Sequence, residues 1–467
     1  MPDPAMNAAQ LLAYLDEQEI PAVKFAFADI DGVLRGKVIS RQKFRAGLAD
    51  GYGFCDVVFG WDMADAAYDN ARLTGWHTGY PDRPARIDLA TFRRIPWQTE
   101  PDVSSAEGMP FFLADFSSPD GPDGDLPACP RSLMKRVAHE AEIMGYWAEM
   151  AQEFEWFNFQ ETPQTLQQKG FRDLTPLTPG MFGYSLLRPS LESSYFTDLF
   201  TYLTQFGIPI EGIHTETGPG VYEAAIHHDT ALAAADKAVL FKTAVKEIAY
   251  RHQIIATFMA KWNADLPGCS GHVHQSLWSP DGATNLFFDR FAPDRLTPIA
   301  RQFIAGQLHC LPHVLPMYAP TINSYKRLVE GAWAPTTRTW GFDNRTVAVR
   351  VLNHAEAYCR VEMRVPGADS NPYLAMAASL ASGLYGIRHG LDLNVPGTTG
   401  NGYQQTGASR LPASLSDATS LMRESAVAAE LFGTDFVAHF CQTRDWEARQ
   451  YARQVSDWEL KRYFEIV

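Results

Sequence analysis

The stretch EGIHTETGPGVYEAAIHH, residues 211–228, sets two carboxylates on either side of a Gly-Pro-Gly run. Apolar residues flank the run at alternating positions, which is the pattern of two strands joined by a turn. In such a hairpin, Glu216 and Glu223 lie on facing arms. The residues alone leave two interpretations open: a solvated hairpin with exposed acids, or a buried site that needs two negative charges.

Three further stretches carry charged or histidine side chains two residues apart inside apolar strand patterns. Because alternate side chains of a strand point to the same face, the members of each set share a face. The sets are Glu153 and Glu155 in MAQEFEWFNF, His272 and His274 in CSGHVHQSL, and Arg360, Glu362 and Arg364 in RVEMRVP. Nearby stretches add Arg345 and Arg350 in DNRTVAVRV, and Lys326 and Arg327 in NSYKRLVEGAWAP. Taken singly, each set is compatible with charges that face water, with core histidines or with a cross-strand salt ladder.

Taken together, these side chains predict a cavity lined by both signs of charge. Burying several carboxylates is unfavourable without counter-ions, and hard divalent cations such as Mg²⁺ or Mn²⁺ prefer carboxylate oxygens. Zinc is disfavoured because the two histidines have no third histidine near them in the sequence. The arginines would face an anionic substrate or a transferring phosphoryl group. Carboxylates for divalent cations together with arginines are typical of metal-assisted phosphoryl transfer. Neither a P-loop nor a kinase-type glycine-rich loop occurs in the sequence.

The composition narrows the class of protein. The net charge of −14 argues against nucleic acid as a partner. The six cysteines are scattered without a C-x-x-C pair, which predicts reduced thiols. The N-terminal sequence lacks the basic and apolar regions of a signal peptide, and no apolar run of about 18 residues predicts a membrane span. We therefore expect a cytoplasmic protein.

The order of predicted elements indicates an α+β fold. Short strands broken by Pro and Gly fill the N-terminal part, including a hairpin around Asp31-Gly32. The loop SSPDGPDGDLPACP, residues 117–130, is the clearest break in the chain. Beyond it helices alternate with strands; Pro130 and Asn371-Pro372 are predicted helix starts, and residues 295–311 are predicted to be helical. We predict a β-rich domain over residues 1–112 and a large domain over residues 113–467, with antiparallel strands covered by helices.

In this order, the motifs resemble those of the glutamine synthetase family, from about residue 25 to about residue 385. DIDGVLRGK resembles the signature of the family's N-terminal domain. The catalytic-domain motifs are matched in turn by EFEWF, HTETGPGVYE, CSGHVHQSL, NSYKRL, NRTVAVRV and RVEMRVPGADSNPYLAMAA. The resemblance implies a β-grasp-like N-terminal domain and a catalytic domain whose strands form a bifunnel. ATP would enter one end and L-glutamate the other, with two or three Mg²⁺ (or Mn²⁺) ions at the waist.

The resemblance also implies a role for each matching residue and an assembly. One metal ion would be held by Glu155, Glu216 and Glu223, and another by Glu153, His272 and Glu362. L-Glutamate would contact Gly268, Arg327 and Arg364. Arg345 would stabilise the transferring phosphoryl group with Arg350 nearby, so Arg345, Arg350 and Arg327 are the predicted catalytic residues. His274 and Ser276 would lie on the ATP side. The assembly would be a homo-dodecamer in which a neighbour's N-terminal domain completes each active site.

The sequence departs from the ammonia-using members of the family at two places. In KRLVEGAWAP, Trp333 stands where those enzymes carry a flap glutamate, and GFCDVVFGWDM replaces their Asp-Gly-Ser-Ser segment. An indole in place of a carboxylate gives an apolar wall that suits an organic group or a cation held over the ring. The departures resemble the γ-glutamylpolyamine and γ-glutamylputrescine synthetases of the family.

We therefore expect ATP-dependent ligation of the glutamate γ-carboxylate to a primary amine through γ-glutamyl phosphate. Asp56 is a candidate for the amine side, where Asp56, Asp62 and Asp65 could orient a cationic amine tail, although these acids are also explained as surface loop residues. Three alternatives remain: an ordinary ammonia-using glutamine synthetase with an unusual flap, a catalytically inactive relative, and a phosphoryl-transfer ligase with another carboxylate donor, against which Arg327 and Arg364 argue. The second conflicts with the retention of all six predicted metal ligands.

Overall fold

The computed structural model describes residues 6–99, 107–116 and 124–467. Two sheets organise these residues, and the α+β class predicted from the element order is confirmed. A five-stranded sheet belongs to the N-terminal part and a nine-stranded sheet to the rest. The helices lie mostly in the second part.

The N-terminal sheet has the strand order β2-β1-β5-β4-β3. Its strands are β1 (Ala22–Ala28), β2 (Leu34–Ser40), β3 (Tyr52–Cys55), β4 (Asp82–Ile95) and β5 (Met109–Phe116). β1 runs parallel to β5, and the other neighbours are antiparallel. The predicted hairpin at Asp31-Gly32 joins β1 to β2, with Gly32 at φ +80°, a conformation that glycine adopts at little cost. Helices α1 (Ala8–Glu17) and α2 (Arg41–Gly47) accompany this sheet.

The predicted domain boundary at residues 112/113 falls inside β5. That strand pairs with β1 at residues 111–113 and with β4 as far as Phe116, so the N-terminal sheet continues to Phe116. We propose that the boundary between the two domains follows Phe116. Residues 117–123 of the predicted loop lie outside the described residues.

The large sheet has the order β12-β13-β14-β11-β6-β8-β7, with β9 and β10 also paired to β6. Its strands are β6 (Trp147–Phe159), β7 (Ile210–Thr215), β8 (Val221–Ile226), β9 (Asp229–Thr230), β10 (Ile255–Thr257), β11 (Val273–Trp278), β12 (Trp340–Phe342), β13 (Val349–Leu352) and β14 (Arg360–Met363). All neighbours are antiparallel except β12 and β13. The sheet therefore has the predicted antiparallel character.

Helices cover this sheet. They are α3 (Pro130–Ile143), α4 (Pro163–Gln168), α5 (Leu187–Leu191), α6 (Ser193–Gln205), α7 (Ala231–Arg251), α8 (Pro298–Tyr318), α9 (Ser324–Arg327), α10 (Pro372–Arg388), α11 (Leu415–Arg423), α12 (Ala426–Phe432), α13 (Thr434–Ala452) and α14 (Asp457–Tyr463). The predicted starts at Pro130 and Pro372 are confirmed. The helix predicted over 295–311 instead begins at Pro298, after the N-cap Thr297, and continues to Tyr318 through two internal prolines.

The core lies between β6 and the helix α7. Phe154 and Trp156 on β6 are fully buried and contact Phe241 of α7 at ring-centroid distances of 5.7 Å. Phe154 and Trp156 alternate with Glu153 and Glu155 along the strand, so packing one face of β6 against α7 turns the two carboxylates to the opposite face. The hydrophobic pattern of this strand thus orients the acidic residues of the site described next.

Candidate active site

Strand registers bring the predicted acidic residues into rows across the large sheet. On one side, His214 of β7 lies opposite Glu223 of β8, and Glu223 lies opposite Glu155 of β6. On the other side, Arg350 of β13 lies opposite Glu362 of β14, and Glu362 lies opposite His274 of β11. Because directly opposed residues of an antiparallel pair point to the same face, each row presents its side chains together.

The first cluster is built on the hairpin of β7 and β8. The side-chain ligand atoms of His214, Glu216 and Glu223 all lie within 4.8 Å of one another. Nε2 of His214 lies 3.1 Å from Oε1 of Glu216, whose other oxygen accepts the backbone N–H of Thr217 at 3.0 Å. This trio differs from the predicted set by containing His214. Glu155 stands beside it in register and accepts the backbone N–H of Ser270 at 2.7 Å.

The second cluster surrounds Glu153. Nδ1 of His272 lies 2.6 Å from Oε1 of Glu153 and 3.4 Å from Oε1 of Glu362. Nε2 of His274 lies 3.3 Å from the other oxygen of Glu153, while Nε of Arg360 donates to its Nδ1 at 3.1 Å. Nε2 of His274 therefore faces Glu153, and its Nδ1 faces Arg360.

Two arginines hold Glu362, which is fully buried. Nη1 of Arg350 donates to Oε2 at 2.8 Å, and Nη1 of Arg364 donates to Oε1 at 2.5 Å. Arg350 is itself held by Asp343, at 3.0 Å from Nε. A buried carboxylate between two guanidinium groups stays ionised and fixed in position.

The environment divides the carboxylates into two kinds. Burial, reinforced by Glu153, Glu155 and Glu216, raises the pKa of Glu223 to about 10. Burial also raises the pKa of Glu155 to about 7. Burial has the same tendency at Glu153, but the neighbouring His274 and His272 outweigh it and hold the pKa of Glu153 well below its usual range. Burial acts on Glu216 too, but the hydrogen bonds of His214 and of the Thr217 N–H outweigh it and lower the pKa of Glu216. Glu223 and Glu155 therefore retain protons most readily where no cation is present, which marks a surplus of negative charge.

His272 of the second cluster is in its neutral form, which is the form that binds metals. Burial, with Arg364 nearby, lowers the pKa of His272 to about 4, so its imidazole is neutral near pH 7. Its Nε2 is buried and has no hydrogen-bond partner within the described residues. Nδ1 is the atom of His272 that faces Glu153 and Glu362, and the ligand atoms that lie within 4.8 Å of one another in this cluster are those of Glu153, His274 and Glu362. The carboxylate-rich donor set fits hard divalent cations.

A cavity of about 430 Å³ opens beside the second cluster. Glu153, His274, Ser276, Tyr358 and Arg360 are among the residues that line it. Ser276 is buried and accepts a hydrogen bond from the indole of its neighbour Trp278. The predicted ATP-side residues His274 and Ser276 thus share one cavity with a predicted metal ligand.

The predicted glutamate-binding residues lie on one side of the first cluster. Arg327 is 2% exposed, and its guanidinium donates to Ser270 Oγ at 2.9 Å and to the carbonyl of Val365 at 2.9 Å. Gly268 lies against Arg327, because a Cβ at that position would stand 2.9 Å from Arg327 Cγ. Arg345 is exposed, and its carbonyl accepts Nε of Arg364 at 3.1 Å.

The two residues predicted for the amine side have different surroundings. Trp333 is 57% exposed and adopts φ +59°, which is unusual for a bulky residue. Asp56 is 2% exposed; it accepts Thr74 Oγ1 at 2.6 Å and pairs with Arg83 at 3.4 Å. Within the described part of the chain, neither residue shares a hydrogen bond, ion pair or ring contact with the two clusters.

The structure adds residues that sequence patterns did not single out. His214 joins the first cluster, and Tyr184 stacks on its ring with centroids 4.5 Å apart and planes within 6°. Tyr184 is exposed and adopts φ +55°. His214 stands two residues before Glu216 in a strand pattern, so the same-face rule would have included it. Tyr184 comes from a distant loop and gives no such signal.

Comparisons with known proteins agree with this arrangement. Residues 127–463 match the family described as glutamine synthetase, catalytic domain. The chain is 50% identical to type-1 glutamine synthetase 2 of Dictyostelium discoideum, over 99% of this chain and 87% of that protein. It is 38% identical to the glutamate–isopropylamine ligase of Pseudomonas sp, over 99% of each chain. A solved structure of GmaS with ADP superimposes with a TM-score of 0.83 at 27% identity, covering 97% of this chain and 99% of the other.

The fold and the site, with these likenesses, define an ATP-dependent carbon–nitrogen ligase. The chain belongs to the glutamine synthetase family. The family uses ATP and divalent metal ions, for which the two clusters are the candidate ligands. None of the helices in residues 6–99, 107–116 and 124–467 combines the length and apolar character needed to cross a membrane.

Proposed function

We propose that this protein joins the γ-carboxylate of L-glutamate to a primary amine at the expense of ATP. A glutamate oxygen attacks the γ-phosphorus and ADP leaves; the amine nitrogen then attacks the acyl carbon, phosphate leaves and the nitrogen loses a proton. The observation that carries the ligase chemistry is the pair of clusters around Glu223 and Glu153, set side by side on one sheet next to buried arginines.

The side chains divide this work. In the proposal, Glu155, Glu216 and Glu223 hold one Mg²⁺ or Mn²⁺ ion, and Glu153, His272 and Glu362 hold a second. Such ions neutralise phosphoryl oxygens during transfer. His214 and His274 stand within reach of the same positions and are additional candidate ligands.

The arginines complete the proposed site. Arg345, which is exposed, is free to reach the transferring phosphoryl group. Arg350 and Arg364 fix Glu362 and add positive charge behind it. Arg327 and Gly268 form the wall that receives glutamate. Arg327 donates to three protein acceptors, Val365 O, Ser270 Oγ and Arg364 O, which leaves two of its five N–H groups for a carboxylate.

Trp333 supports an organic amine as the nitrogen donor. Ammonium is small and cationic and favours carboxylate oxygens, whereas an exposed indole offers apolar area and a π face. The strained backbone of Trp333 fits a functional position, since unfavourable φ values persist mainly where they are used. The 38% identity to a glutamate–isopropylamine ligase points the same way.

Asp56 and the acids near it already have partners within the chain, which favours an amine whose remaining part is uncharged. Asp56 is paired with Arg83, Asp65 with Arg35, and one oxygen of Asp62 accepts the indole N–H of Trp446. Every copy of the chain folds in the same way, so these acids would have the same partners in a neighbouring subunit. An acceptor with a second ammonium group would therefore gain little from them.

Ammonia is the second candidate nitrogen donor. The chain shares half of its residues with a protein named as a glutamine synthetase, and this likeness extends over nearly its whole length. Trp333 is the feature that separates the two possibilities. We also propose a dodecamer, the assembly implied by the family resemblance, in which a neighbour's N-terminal domain completes each site.

An amine panel tests the proposal. The purified chain with ATP, Mg²⁺ and L-glutamate is given ammonia, isopropylamine, butylamine or 1,4-diaminobutane, and phosphate release is followed together with the mass of the product. We expect the two monoamines to be used with a kcat/KM at least about 10-fold above that of ammonia. Turnover with ammonia alone would contradict the amine proposal and leave the ligase assignment intact. Equal use of the diamine would contradict only its uncharged-tail part.

A further inference from the structure

A second cleft lies between the two domains, away from the clusters described above. It has a volume of about 250 Å³. One wall is the N-terminal sheet, through β1, β2 and β5, and the opposite wall is helix α7. At roughly 30 Å³ per water molecule, the space corresponds to about eight waters, the size range of an amino acid.

The walls of the cleft are aromatic and aliphatic. Trp97, Phe111 and Phe206 form one group, and Leu34 and Leu240 complete the apolar surface. Trp97 and Phe206 are in edge contact, with centroids 5.2 Å apart. Such a lining is favourable for a side chain of apolar character.

One carboxylate and one ammonium group stand together in this lining. Glu247 accepts Nε1 of Trp97 at 2.6 Å and Nε2 of Gln98 at 2.9 Å, and both bonds use the same oxygen, Oε2. The other oxygen of Glu247 has no hydrogen-bond partner within the described residues. Nζ of Lys24 donates to Oε1 of Gln98 at 2.7 Å, which leaves two of its three N–H groups for other acceptors.

The side-chain amide of Gln98 therefore bonds the Lys24 ammonium with its oxygen and the Glu247 carboxylate with its nitrogen. Both charged groups retain unused hydrogen-bonding capacity. An α-amino acid carries the complementary pair, an ammonium and a carboxylate on neighbouring atoms. The hydroxyl of Thr243 on α7 adds a further polar group to the same lining. We infer that this cleft binds a free α-amino acid with an apolar or aromatic side chain. The ammonium faces Glu247, the carboxylate faces Lys24, and the side chain lies against Trp97 and Phe206.

A ligand in this position would join the two domains. Its charged end would contact Lys24 of the N-terminal sheet and Glu247 of the catalytic domain at once. A ligand that binds only the folded chain raises its melting temperature as its concentration exceeds Kd. Binding is therefore visible both by calorimetry and as a thermal shift.

The test is calorimetric titration of the full chain with L-phenylalanine, beside N-acetyl-L-phenylalanine, which keeps the carboxylate and ring but lacks the ammonium. We expect saturable binding of L-phenylalanine with a Kd of about 1 mM or below, and at least 10-fold weaker binding of the acetylated compound. Glu247→Gln keeps the acceptor for Trp97 and Gln98 but loses the charge, and Lys24→Met loses the ammonium. Each should weaken L-phenylalanine binding at least 10-fold.

Glu17→Gln, an exposed position on α1, is the matched control and should bind as the parent does. Circular dichroism and the melting temperature without ligand establish that each variant is folded. The inference is overturned if L-phenylalanine does not bind up to about 10 mM. It is equally overturned if its binding survives both charge variants, or if the acetylated compound binds as tightly.

Discussion

At the scale of single residues, the proposed preference for an amine over ammonia depends on Trp333. Its side chain is more than half exposed, so a change there disturbs little packing. We predict that Trp333→Glu shifts the ratio of kcat/KM for ammonia over isopropylamine upward by at least about 10-fold, or about 1.4 kcal/mol, because a carboxylate attracts ammonium and removes the apolar wall. The measurement is phosphate release with each donor.

Trp333→Phe is the matched control for this prediction. It keeps an aromatic face and adds no charge, so the preference for isopropylamine should persist with a modest loss of rate. An unchanged donor profile in Trp333→Glu would remove this residue from the specificity argument.

Glu223 gives a pH prediction whose sign follows from its pKa. An acid with a usual value of 4.5 and a folded-state pKa of about 10 keeps its proton in the folded chain, so the metal-free protein loses stability as pH rises between these values. His272, with a pKa of about 4, does not titrate above pH 7. A bound cation needs the carboxylate form. We therefore predict that the increase in melting temperature produced by Mg²⁺ grows between about pH 7 and pH 9.

The control for this prediction is Glu223→Gln, which has no proton to lose. Its melting temperature should gain less from Mg²⁺, and the gain should vary less with pH over the same range. A thermal-shift series at several pH values, with and without Mg²⁺, supplies the comparison. The same pH dependence in both proteins would show that another group controls cation binding.

At the scale of strands and turns, most of the site follows from alternation. Packing Phe154 and Trp156 inward turns Glu153 and Glu155 to the opposite face, and the hairpin predicted around Glu216 and Glu223 is present. The registers were not predictable, because which residue opposes Glu223 depends on pairing between strands far apart in sequence. For that reason the pairing of Glu223 with Glu155 and of Glu362 with His274 emerged only from the structure, whereas His214 was accessible to the same-face rule.

The end of α8 was mispredicted for a related reason. The helix predicted over residues 295–311 stops one residue before Pro312, and proline disfavours a helix interior locally. The helix continues to Tyr318, with Leu311, Val314 and Leu315 fully buried. Tertiary burial of this segment outweighs the local preference of two prolines.

Gly268 supplies the prediction at this scale. A Cβ there would stand 2.3 Å from the carbonyl oxygen of Ala260 and 2.9 Å from Arg327 Cγ, so the connection between β10 and β11 has no room for one. We predict that Gly268→Ala costs about 1–3 kcal/mol of unfolding free energy and raises the KM for glutamate by displacing Arg327. Urea denaturation and steady-state kinetics measure the two effects.

Gly212→Ala is the control, because a Cβ at Gly212 meets no atom within 4 Å. It should leave both the KM for glutamate and the unfolding midpoint nearly unchanged. If Gly268→Ala also left both quantities unchanged, the close approach of the chain to Arg327 would matter neither for glutamate binding nor for stability.

At the scale of the whole molecule, the N-terminal sheet is fastened to the catalytic domain by polar contacts. Asn371, the N-cap of α10, donates to the carbonyls of Asp29 and Ile30 at 3.1 and 3.2 Å. Arg131 of α3 donates to Asp115 of β5 and Asp236 of α7. These partners are separated by up to several hundred residues in the sequence, and no local sequence pattern predicts their contact. The α+β class was therefore predictable from the order of elements, but the docking of the two domains was not.

The ion pair between Arg444 of α13 and Asp31 in the β1–β2 turn is another buried contact of this interface. The two side chains are 2% and 5% exposed, and Nη2 lies 2.5 Å from Oδ1. Removing one partner leaves a buried charge without compensation, which typically costs about 3–5 kcal/mol. Arg449 of the same helix also pairs with the N-terminal domain, through Asp69, but both side chains are about half exposed. Exposed pairs contribute roughly 0–1 kcal/mol.

We accordingly predict that Arg444→Met lowers the urea midpoint strongly, whereas Arg449→Gln leaves it within experimental scatter of the parent. Adding Asp31→Asn to Arg444→Met should cost less than the sum of the two single changes, since the double variant buries no unpaired charge. Both variants retain every residue of the two clusters, so any loss of activity should track the loss of folded protein. Equal midpoints for the two single arginine variants would mean that the domains are held by their apolar contacts, with the buried ion pair contributing no more than the exposed one.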